Sequence, residues 1–460
     1  MSETPFLPAI LDRIDAAQDE AVDRLKALLR IPSISTDPAH ADDCRAAADW
    51  LVAELRGLGF EAEARATPGH PMVVAQGGAG ERHVLFYGHY DVQPVDPIDH
   101  WTRDPFDPAV EETPAGRVIR GRGASDDKGQ LMTFLEACRA WKAETGALPC
   151  RITVLLEGEE ESGSPSLVPF LEANRDELRA EVALICDTGL HDSRVPAIVT
   201  SLRGLLGEEV TVRGPDRDLH SGAYGGLAMN PARVLTRILV GLHDASGRVQ
   251  VPGFYDGVEE PPAEVLRGWE ALDFSAEAFL GGVGLSIPAG EAGRTGLEML
   301  WSRPTAEING IWSGYTGRGF KTVLPAEAHA KVSFRLVKGQ DPLVLRDAFR
   351  DWVREQVPAD CDVSFQDHGA APASGMNIDA PVFAAAKAAL TEEWGIEAAF
   401  VGAGGSIPIA GYFQSILGME SLLAGFAKDD DQIHSPNEKY DIESFRKGTR
   451  SWARLLAALA

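Results

Sequence analysis

The stretch ITVLLEGEEESGS, residues 152–164, places three consecutive glutamates directly after a run of apolar residues. The run has the length of a strand and is almost continuously apolar, which is typical of a strand covered on both faces. Like charges repel, and burying a carboxylate without a partner is unfavourable. The glutamates therefore form either a solvated acidic turn or one wall of a site that holds a cation.

Three more apolar runs end in polar residues in the same way. They are HVLFYG (83–88), VALIC (182–186) and SLLAGF (421–426), and they are followed by HYD, by DTG and, after a short loop, by DDDQIHSPNE. Ligands of open α/β sheets bind outside the carboxyl ends of the strands. The four polar segments are therefore predicted to converge on one crevice, which requires the last part of the chain to return to the first domain.

The alternation of apolar runs with helical patterns predicts the domain organisation. A chain of 460 residues exceeds what one hydrophobic core usually supports. Residues 1–202 and 376–460 are predicted to form an α/β domain on a mostly parallel sheet. Residues 203–375 alternate apolar and polar positions in LGEEVTVRG (206–214) and AHAKVSFRLVKG (328–339), and helical patterns follow 230 and 342. They are predicted to form an inserted α+β domain.

The composition disfavours several classes of partner. The chain has 43 Lys and Arg against 69 Asp and Glu, a net charge of −26. Such a charge repels nucleic acids and anionic membranes, whereas it favours a cation. The five cysteines include no C-x-x-C pair, so a disulfide framework or a thiolate metal site is not indicated. Without a recognisable signal peptide or membrane span, the protein is expected in the cytoplasm.

Two further segments contain residues that could bind a metal. In GHYDV (88–92), His89 and Asp91 stand two apart at a strand end, where alternation directs both side chains to one side. His89 is either structural or a ligand whose imidazole is oriented by Asp91. In GRGASDDKGQ (121–130), the arrangement of a phosphate loop is lacking, and Asp126 or Asp127 could cap the following helix. We favour Asp126 as a metal ligand.

The glutamate run can then be explained by a pair of metal ions. One glutamate would bind a metal, and its neighbour would take a proton from the attacking water. Two metals about 3.5–4 Å apart, bridged by a carboxylate, activate water in aminopeptidases and related hydrolases. Asp187 and His434 would complete the ligand set. One histidine and several carboxylates at each site suit zinc, with manganese or cobalt as alternatives.

The motifs together resemble a known family. In chain order they are GHYDVQPV, GRGASDDKGQ, EGEEESGS, CDTG, DLHSGAYGG, GGSIPI and HSPNEKYD. This series is similar to that of the M20 family of metallopeptidases, most closely the cytosolic non-specific dipeptidase (carnosinase-like) branch. The resemblance runs from about residue 20 to the carboxyl terminus, and its strength lies in the order of the seven motifs.

The resemblance implies a dimetal hydrolase with assigned residues. His89 and Asp187 are implied as the terminal ligands of one metal, Glu161 and His434 as those of the other, and Asp126 as the bridge, followed by a cis peptide. It also implies that Glu160 is the general base and that Asp91 supports His89. Glu159 is left as an extra carboxylate, expected to face solvent.

The resemblance also implies the role of the inserted domain. That domain would be a lid that mediates dimerisation, and His220 would reach the partner's active site to stabilise the oxyanion. Arg335 would hold the substrate carboxylate, with Asn230, Thr322 and Ser406 as further substrate contacts. By its own chemistry His220 is a surface histidine, so its assignment depends on the resemblance.

One departure from the family leaves the substrate open. Ala403 stands where this branch often has a glutamate that contacts the substrate amine.

The first hypothesis for the function is hydrolysis of dipeptides or small peptides with a free carboxylate, by a water held between two metals and activated by Glu160. The alternative is an N-acyl amino acid deacylase of the acetylornithine or succinyl-diaminopimelate type. A catalytically silent dimeric binding paralogue is disfavoured because all the ligands and the base are present, and a serine hydrolase because no G-x-S-x-G is present.

Overall fold

The computed structural model describes residues 5–404 and 408–460. These residues form two compact units. Of the described residues, the first unit comprises 5–200, 376–401 and 412–460, and the second comprises 201–375, 402–404 and 408–411. The roles expected for the two domains stay predictions. No helix in the described part of the chain has the length and apolar character needed to cross a bilayer.

The strands follow one another along the chain in short segments. They are β1 (Glu61–Arg65), β2 (Met72–Gly77), β3 (His83–His89), β4 (Ala109–Thr113), β5 (Gly116–Arg120), β6 (Arg151–Glu157), β7 (Val182–Ile185), β8 (Ala197–Leu202), β9 (Gly204–Arg213), β10 (Leu219–His220), β11 (Thr305–Ser313), β12 (Val323–Leu324), β13 (Glu327–Leu336), β14 (Asp362–Ala371), β15 (Ser374–Gly375), β16 (Ala399–Ala403), β17 (Glu420–Leu423) and β18 (Lys439–Asp441).

The helices vary from one turn to five. They are α1 (Leu7–Ala16), α2 (Gln18–Leu29), α3 (Ala41–Gly57), α4 (Lys128–Thr145), α5 (Leu167–Ala173), α6 (Arg175–Leu178), α7 (Ser221–Tyr224), α8 (Pro231–Val240), α9 (Ala263–Glu270), α10 (Ala276–Gly281), α11 (Gly296–Trp301), α12 (Pro342–Gln356), α13 (Pro381–Trp394), α14 (Pro408–Tyr412) and α15 (Ile442–Leu459).

The main sheet of the first unit has parallel strands at its centre. Its order is β1-β2-β6-β3-β7-β17-β8. Strands β6, β3, β7 and β17 run parallel, while β1, β2 and β8 pair antiparallel with their neighbours. The four parallel strands are those predicted from the apolar runs, although β17 ends at Leu423, before the end of its run. The predicted α/β class is confirmed.

The core of the first unit explains why these runs are so apolar. Every residue of β3 is buried. Phe86 of β3 stacks on Phe134 of α4 with ring centroids 3.9 Å apart, and Trp452 of α15 meets both rings edge to face. Aromatic groups packed in this way contribute large buried areas and a defined geometry. The packing holds the carboxyl end of β3, and thus His89, in a fixed place.

A small antiparallel sheet ties two distant parts of the chain together in the first unit. Its order is β18-β5-β4, and Lys439 of β18 lies opposite Arg120 of β5. The segment that follows His434 therefore runs beside the segment that precedes Asp126.

The second unit is built on a four-stranded antiparallel sheet of order β11-β13-β9-β14. Burial alternates along β13, as its alternating sequence predicts. Helices α8 and α12 pack on this sheet. Their shared core includes Val210, Ile238, Phe334, Phe349 and Val353.

Candidate metal centre

The candidate site lies at the carboxyl ends of the central parallel strands. His89 is the last residue of β3, and its register partner Glu157 is the last residue of β6. Glu159, Glu160 and Glu161 follow β6, and Asp187 comes two residues after β7. Because neighbouring parallel strands end at the same edge of a sheet, the polar segments meet there.

Five predicted ligands are brought together in two overlapping groups. His89, Asp126 and Asp187 form one group, and Asp126, Glu161 and His434 form the other. Within each group the possible ligand atoms lie within 4.8 Å of one another. This is the spacing that a metal ion bound by all three residues would require.

Asp126 belongs to both groups through different oxygens. Its Oδ1 lies 3.0 Å from Nε2 of His89, and its Oδ2 lies 2.9 Å from Nε2 of His434. Nε2 of His434 is also 3.3 Å from Oε2 of Glu161. A bridging carboxylate needs this arrangement. The peptide between Asp126 and Asp127 is cis, as the resemblance implies.

The electrostatics of the cluster fit a divalent cation. Burial raises the pKa of Asp187 well above its usual value, and Asp126 and Asp127 add to this effect. Hydrogen bonds to Asp126 and Glu161 raise the pKa of His434 to about 10. Burial lowers the pKa of His89, but its bonds to Asp126 and Asp91 outweigh burial and hold the pKa well above the usual value. The carboxylates thus favour positive charge beside them, which metal ions can supply.

Asp91 braces both sides of the site. Its Oδ1 lies 3.3 Å from Nδ1 of His89, which also approaches the Asp91 carbonyl oxygen at 3.1 Å. The carboxylate accepts hydrogen bonds from the backbone N–H groups of Glu160 (3.3 Å) and Glu161 (3.0 Å). One fully buried side chain thus orients an imidazole and the turn that carries two glutamates.

Glu160 stands at the start of a short 3-10 turn, Glu160–Ser162, beside the ligand groups. Burial raises its pKa, and the carboxylates of Glu161, Asp91 and Asp126 add to this, while His89 acts in the opposite direction. A raised pKa moves a carboxyl group toward the range in which it can exchange a proton near neutral pH.

The expectation that Glu159 faces solvent is wrong. Its side chain is only 3% exposed. Oε1 accepts from the backbone N–H of His70 at 2.9 Å and Oε2 from that of Ser166 at 3.0 Å. A Cβ on Gly69 would lie 1.5 Å from Oε1, so the glycine makes room for the carboxylate. These two backbone donors offset the cost of burying the carboxylate, and Glu159 thereby stabilises the loop.

Sequence reasoning missed three residues that support the site. Gln93 donates to Oε2 of Glu161 at 2.7 Å. Asp127 accepts from the backbone N–H of His89 at 3.1 Å, and its side chain makes no capping bond to α4. Glu438 contacts the Asp126 loop. Each lies in a quoted motif, and Gln93 continues the alternation of His89 and Asp91, which could have identified it.

The remaining predicted site residues belong to the second unit or lie outside the described residues. His220 is exposed at the end of β10, and the N–H of neighbouring Ser221 donates to the carbonyl of Thr322 at 3.1 Å. Asn230 caps α8 by accepting from Ala232, and Arg335 lies half-buried on β13. Ser406 falls within 405–407, outside the described residues.

Comparison with known proteins identifies close relatives. Residues 85–458 match the model of a family described as Peptidase family M20/M25/M40. The Cys-Gly metallodipeptidase dug1 of Schizosaccharomyces pombe is 31% identical over 99% of this chain and 98% of its own length. The Beta-Ala-His dipeptidase of Homo sapiens is 30% identical over 98% of this chain and 93% of its own length.

A solved structure supports the same relationship. The M20 family metallo-carboxypeptidase Sso-CP2 from Sulfolobus solfataricus is 31% identical, with a TM-score of 0.80. The match covers 96% of this chain and 99% of that chain. The similarity therefore extends over both units.

Proposed function

Since the chain belongs to peptidase family M20/M25/M40, we propose that it is a metal-dependent dipeptidase acting on peptides with a free carboxylate. The observation that carries this proposal is the pair of ligand groups that share Asp126 and lie beside Glu160. The relatives named as dipeptidases, for Cys-Gly and for Beta-Ala-His, support a small peptide as the substrate.

The proposed ligands are divided between two ions. His89 and Asp187 would hold one, Glu161 and His434 the other, and Asp126 both. Two divalent ions bound there would lower the pKa of an attacking water and polarise the scissile carbonyl. A donor set of imidazole nitrogens and carboxylate oxygens suits zinc first, and manganese or cobalt as alternatives.

The chain's own residues would handle the protons. Glu160 accepts a proton from the attacking water and later donates it to the leaving amine. Burial raises the pKa of Glu160, which brings its carboxyl group closer to the range in which it can exchange a proton near neutral pH. Asp91 holds the backbone of Glu160 in place, and it holds His89 in the orientation that a ligand needs.

The second unit would supply substrate contacts. Arg335 is proposed to bind the substrate carboxylate, with Asn230, Thr322 and Ser406 as further contacts. We propose a homodimer in which His220 stabilises the oxyanion in the partner's site. The exposure of His220 supports this role, since a buried imidazole could not act outside its own unit. The five cysteines are free and buried, which supports a cytoplasmic location.

The test is hydrolysis by metal-stripped protein with and without added Zn²⁺ or Mn²⁺. The panel contains Ala-Ala, Gly-Leu, β-Ala-His, N-acetyl-ornithine and N-succinyl-diaminopimelate. Metal-dependent cleavage of the free dipeptides is expected. Cleavage of the acylated substrates alone would instead identify a deacylase, consistent with Ala403. Metal binding without any cleavage would contradict an enzymatic role on this panel.

A further inference from the structure

Two loops that carry proposed metal ligands come from distant parts of the sequence. Asp126 lies between β5 and α4, and His434 lies in the loop that precedes β18. The pairing of β18 with β5 brings the loops side by side, but its register covers only Val118–Arg120 and Lys439–Asp441. Further contacts must set the distance between the two ligands.

Glu438 makes those contacts with a single carboxylate. Oε1 accepts from the backbone N–H groups of Ser125 (2.9 Å) and Asp126 (3.0 Å). Oε2 accepts from the backbone N–H of Gly123 (2.9 Å) and from Nη1 of Arg122 (2.8 Å). The side chain is fully buried. Four donors from one loop therefore converge on a residue four positions after His434.

Arg122, whose guanidinium balances the charge of Glu438, is itself held in place. Arg122 is 1% exposed, and its Nη2 donates to the carbonyl of Pro94 at 3.0 Å. Its guanidinium lies over the ring of Trp101, 5.4 Å from the centroid. A buried ion pair is tolerated when hydrogen bonds satisfy both partners, and such pairs can specify one geometry. Here both carboxylate oxygens of Glu438 and both terminal nitrogens of Arg122 have partners, whereas Nε of Arg122 is buried without one among the described residues.

A second bond joins the same two loops. Oγ of Ser125 donates to Oδ2 of Asp431 at 2.8 Å, and the same oxygen accepts from the backbone N–H of Lys428. Ser125 directly precedes Asp126, and Asp431 lies three positions before His434. The loops are thus connected on both sides of His434.

We propose that Glu438 is a positioning residue that sets the distance between Asp126 and His434, and thereby the metal affinity of the group these two form with Glu161. The inference rests on the proposed dimetal function. Residues that orient metal ligands typically contribute about 10–100-fold to metal affinity or activity. The bond to the Asp126 N–H acts at the residue whose two oxygens face both histidines.

The test is calorimetric titration of metal-free protein with Zn²⁺. Wild type is expected to bind two ions in two steps. Glu438→Gln keeps the side-chain volume but replaces one acceptor oxygen by a donor group, and it should weaken one step about 10–100-fold. His434→Ala identifies that step, because it should remove it. Adding Glu438→Gln to His434→Ala should then leave the remaining step within about threefold.

The matched control is Glu443→Gln, which breaks an ion pair with Arg446 on α15 and should change neither step. Should Glu438→Gln fail to fold, as judged by circular dichroism, Ser125→Ala provides a milder variant. It removes one hydrogen bond between the loops, and the same step should weaken about 2–10-fold.

Two results would overturn the inference. A folded Glu438→Gln protein that retains both metal affinities within about twofold would show that the hydrogen bonds of Glu438 serve only the structure of the loops. Equal weakening of both binding steps would contradict a specific action on the group formed by Asp126, Glu161 and His434. Wild type that binds fewer than two ions would defeat the proposed site and the inference together. Wild type that binds two ions without cleaving any peptide would defeat only the proposed function, since the affinities of Glu438→Gln would still decide the inference.

Discussion

Two clusters in the first unit contain groups of three residues whose possible ligand atoms lie within 4.8 Å of one another, yet the negative charge of the two clusters is balanced in different ways. The first is the ligand cluster of the candidate site, in which imidazoles face Asp126. The second, which we name the acidic triad, consists of Asp430, Asp431 and Asp441. Nζ of Lys439 lies 2.9, 2.8 and 3.0 Å from the three triad carboxylates, and Lys428 binds Asp441 at 2.7 Å.

The comparison shows that the counter-ion determines what a carboxylate cluster can do. A lysine ammonium is a donor without an acceptor, so it balances part of the negative charge of the triad and offers a metal no ligand atom. An imidazole can lose its proton and present a nitrogen lone pair to a metal. A similar spacing of possible ligand atoms therefore favours an ion-pair network in one place and a metal centre in the other.

Glu157 shows a third way to bury a carboxyl group. It is fully buried at the end of β6, and the hydroxyl of Tyr87 donates to its Oε2 at 2.6 Å. Burial raises its pKa to about 7. Without a full counter-charge beside it, this group is neutralised by a proton over a wide range of pH.

The largest expected effect concerns the chemical role of the ligand cluster. Glu160→Gln should lower kcat for a cleaved dipeptide by about 10²–10⁴-fold, because the amide cannot accept a proton. The metal content should stay at the wild-type value, measured by atomic emission. Asp430→Asn in the triad is the matched control and should keep kcat within about twofold. A Glu160→Gln enzyme with wild-type kcat would show that another group is the base.

The second prediction separates the two clusters by metal affinity. Residues that orient metal ligands without binding the metal typically contribute about 10–100-fold to metal affinity. Asp126→Asn should weaken metal binding by more than this, because the shared ligand itself loses its charge. Asp441→Asn, the equivalent change in the triad, should leave the number of bound ions unchanged. Equilibrium dialysis with Zn²⁺ measures both. Loss of a bound ion in Asp441→Asn would contradict the distinction between the clusters.

The third prediction removes the counter-ion of the triad. Lys439→Met should lower the free energy of unfolding by about 3–5 kcal/mol, since it leaves the buried carboxylate of Asp431 without its cation. Urea unfolding in the presence of a chelator measures the change. Lys447→Met on α15, whose ammonium lies 4.0 Å from Glu443, is the control and should change stability by about 0–1 kcal/mol. Equal changes in the two variants would show that Lys439 is not required to balance the triad.

The smallest effect concerns the proton on Glu157. Its folded pKa of about 7 lies above the ordinary 4.5, so the folded state binds more protons between these values. The contribution of Glu157 to stability is present below pH 4.5 and is lost as pH rises through about 7. Its total is on the order of 3 kcal/mol, at about 1.4 kcal/mol per pKa unit.

Glu157→Gln should remove this part of the pH dependence while keeping a partner for Tyr87. Unfolding of metal-free protein in urea at pH 5, 6, 7 and 8 measures the difference between the variant and wild type. The difference should shift in favour of the variant as pH rises. A difference that does not vary with pH would show that Glu157 is ionised throughout this range.

Much of the site could be predicted because its signals are local. The apolar runs before His89, Glu161 and Asp187 identify strands. Because ligands of such sheets bind at the carboxyl ends of parallel strands, the three residues are predicted to lie close together. The match over residues 85–458 confirms the family resemblance, and the role of Asp126 as a shared ligand, which that resemblance implies, stays a prediction. The roles in catalysis and in substrate binding remain predictions that the experiments above would test.

Other features could not be predicted because they depend on which donors the fold brings to a charged group. Glu159 is expected in solvent from the sequence, yet its carboxylate is buried and accepts hydrogen bonds from the backbone N–H groups of His70 and Ser166. A sequence shows that a residue carries a charge, but it does not show which donors the fold brings to that charge. Burial of a polar group is a property of its partners.

The sequence by itself determined the α/β class, the four central strands and the residue types that end them, because hydrophobic periodicity and motif spacing act over short distances. Only the tertiary structure decided how each negative charge is balanced. It placed His89 and His434 on either side of Asp126, lysines among the triad, and Arg122 with three backbone donors around Glu438. These pairings join residues up to hundreds of positions apart, so they arise only when the folded chain brings opposite charges within a few ångströms.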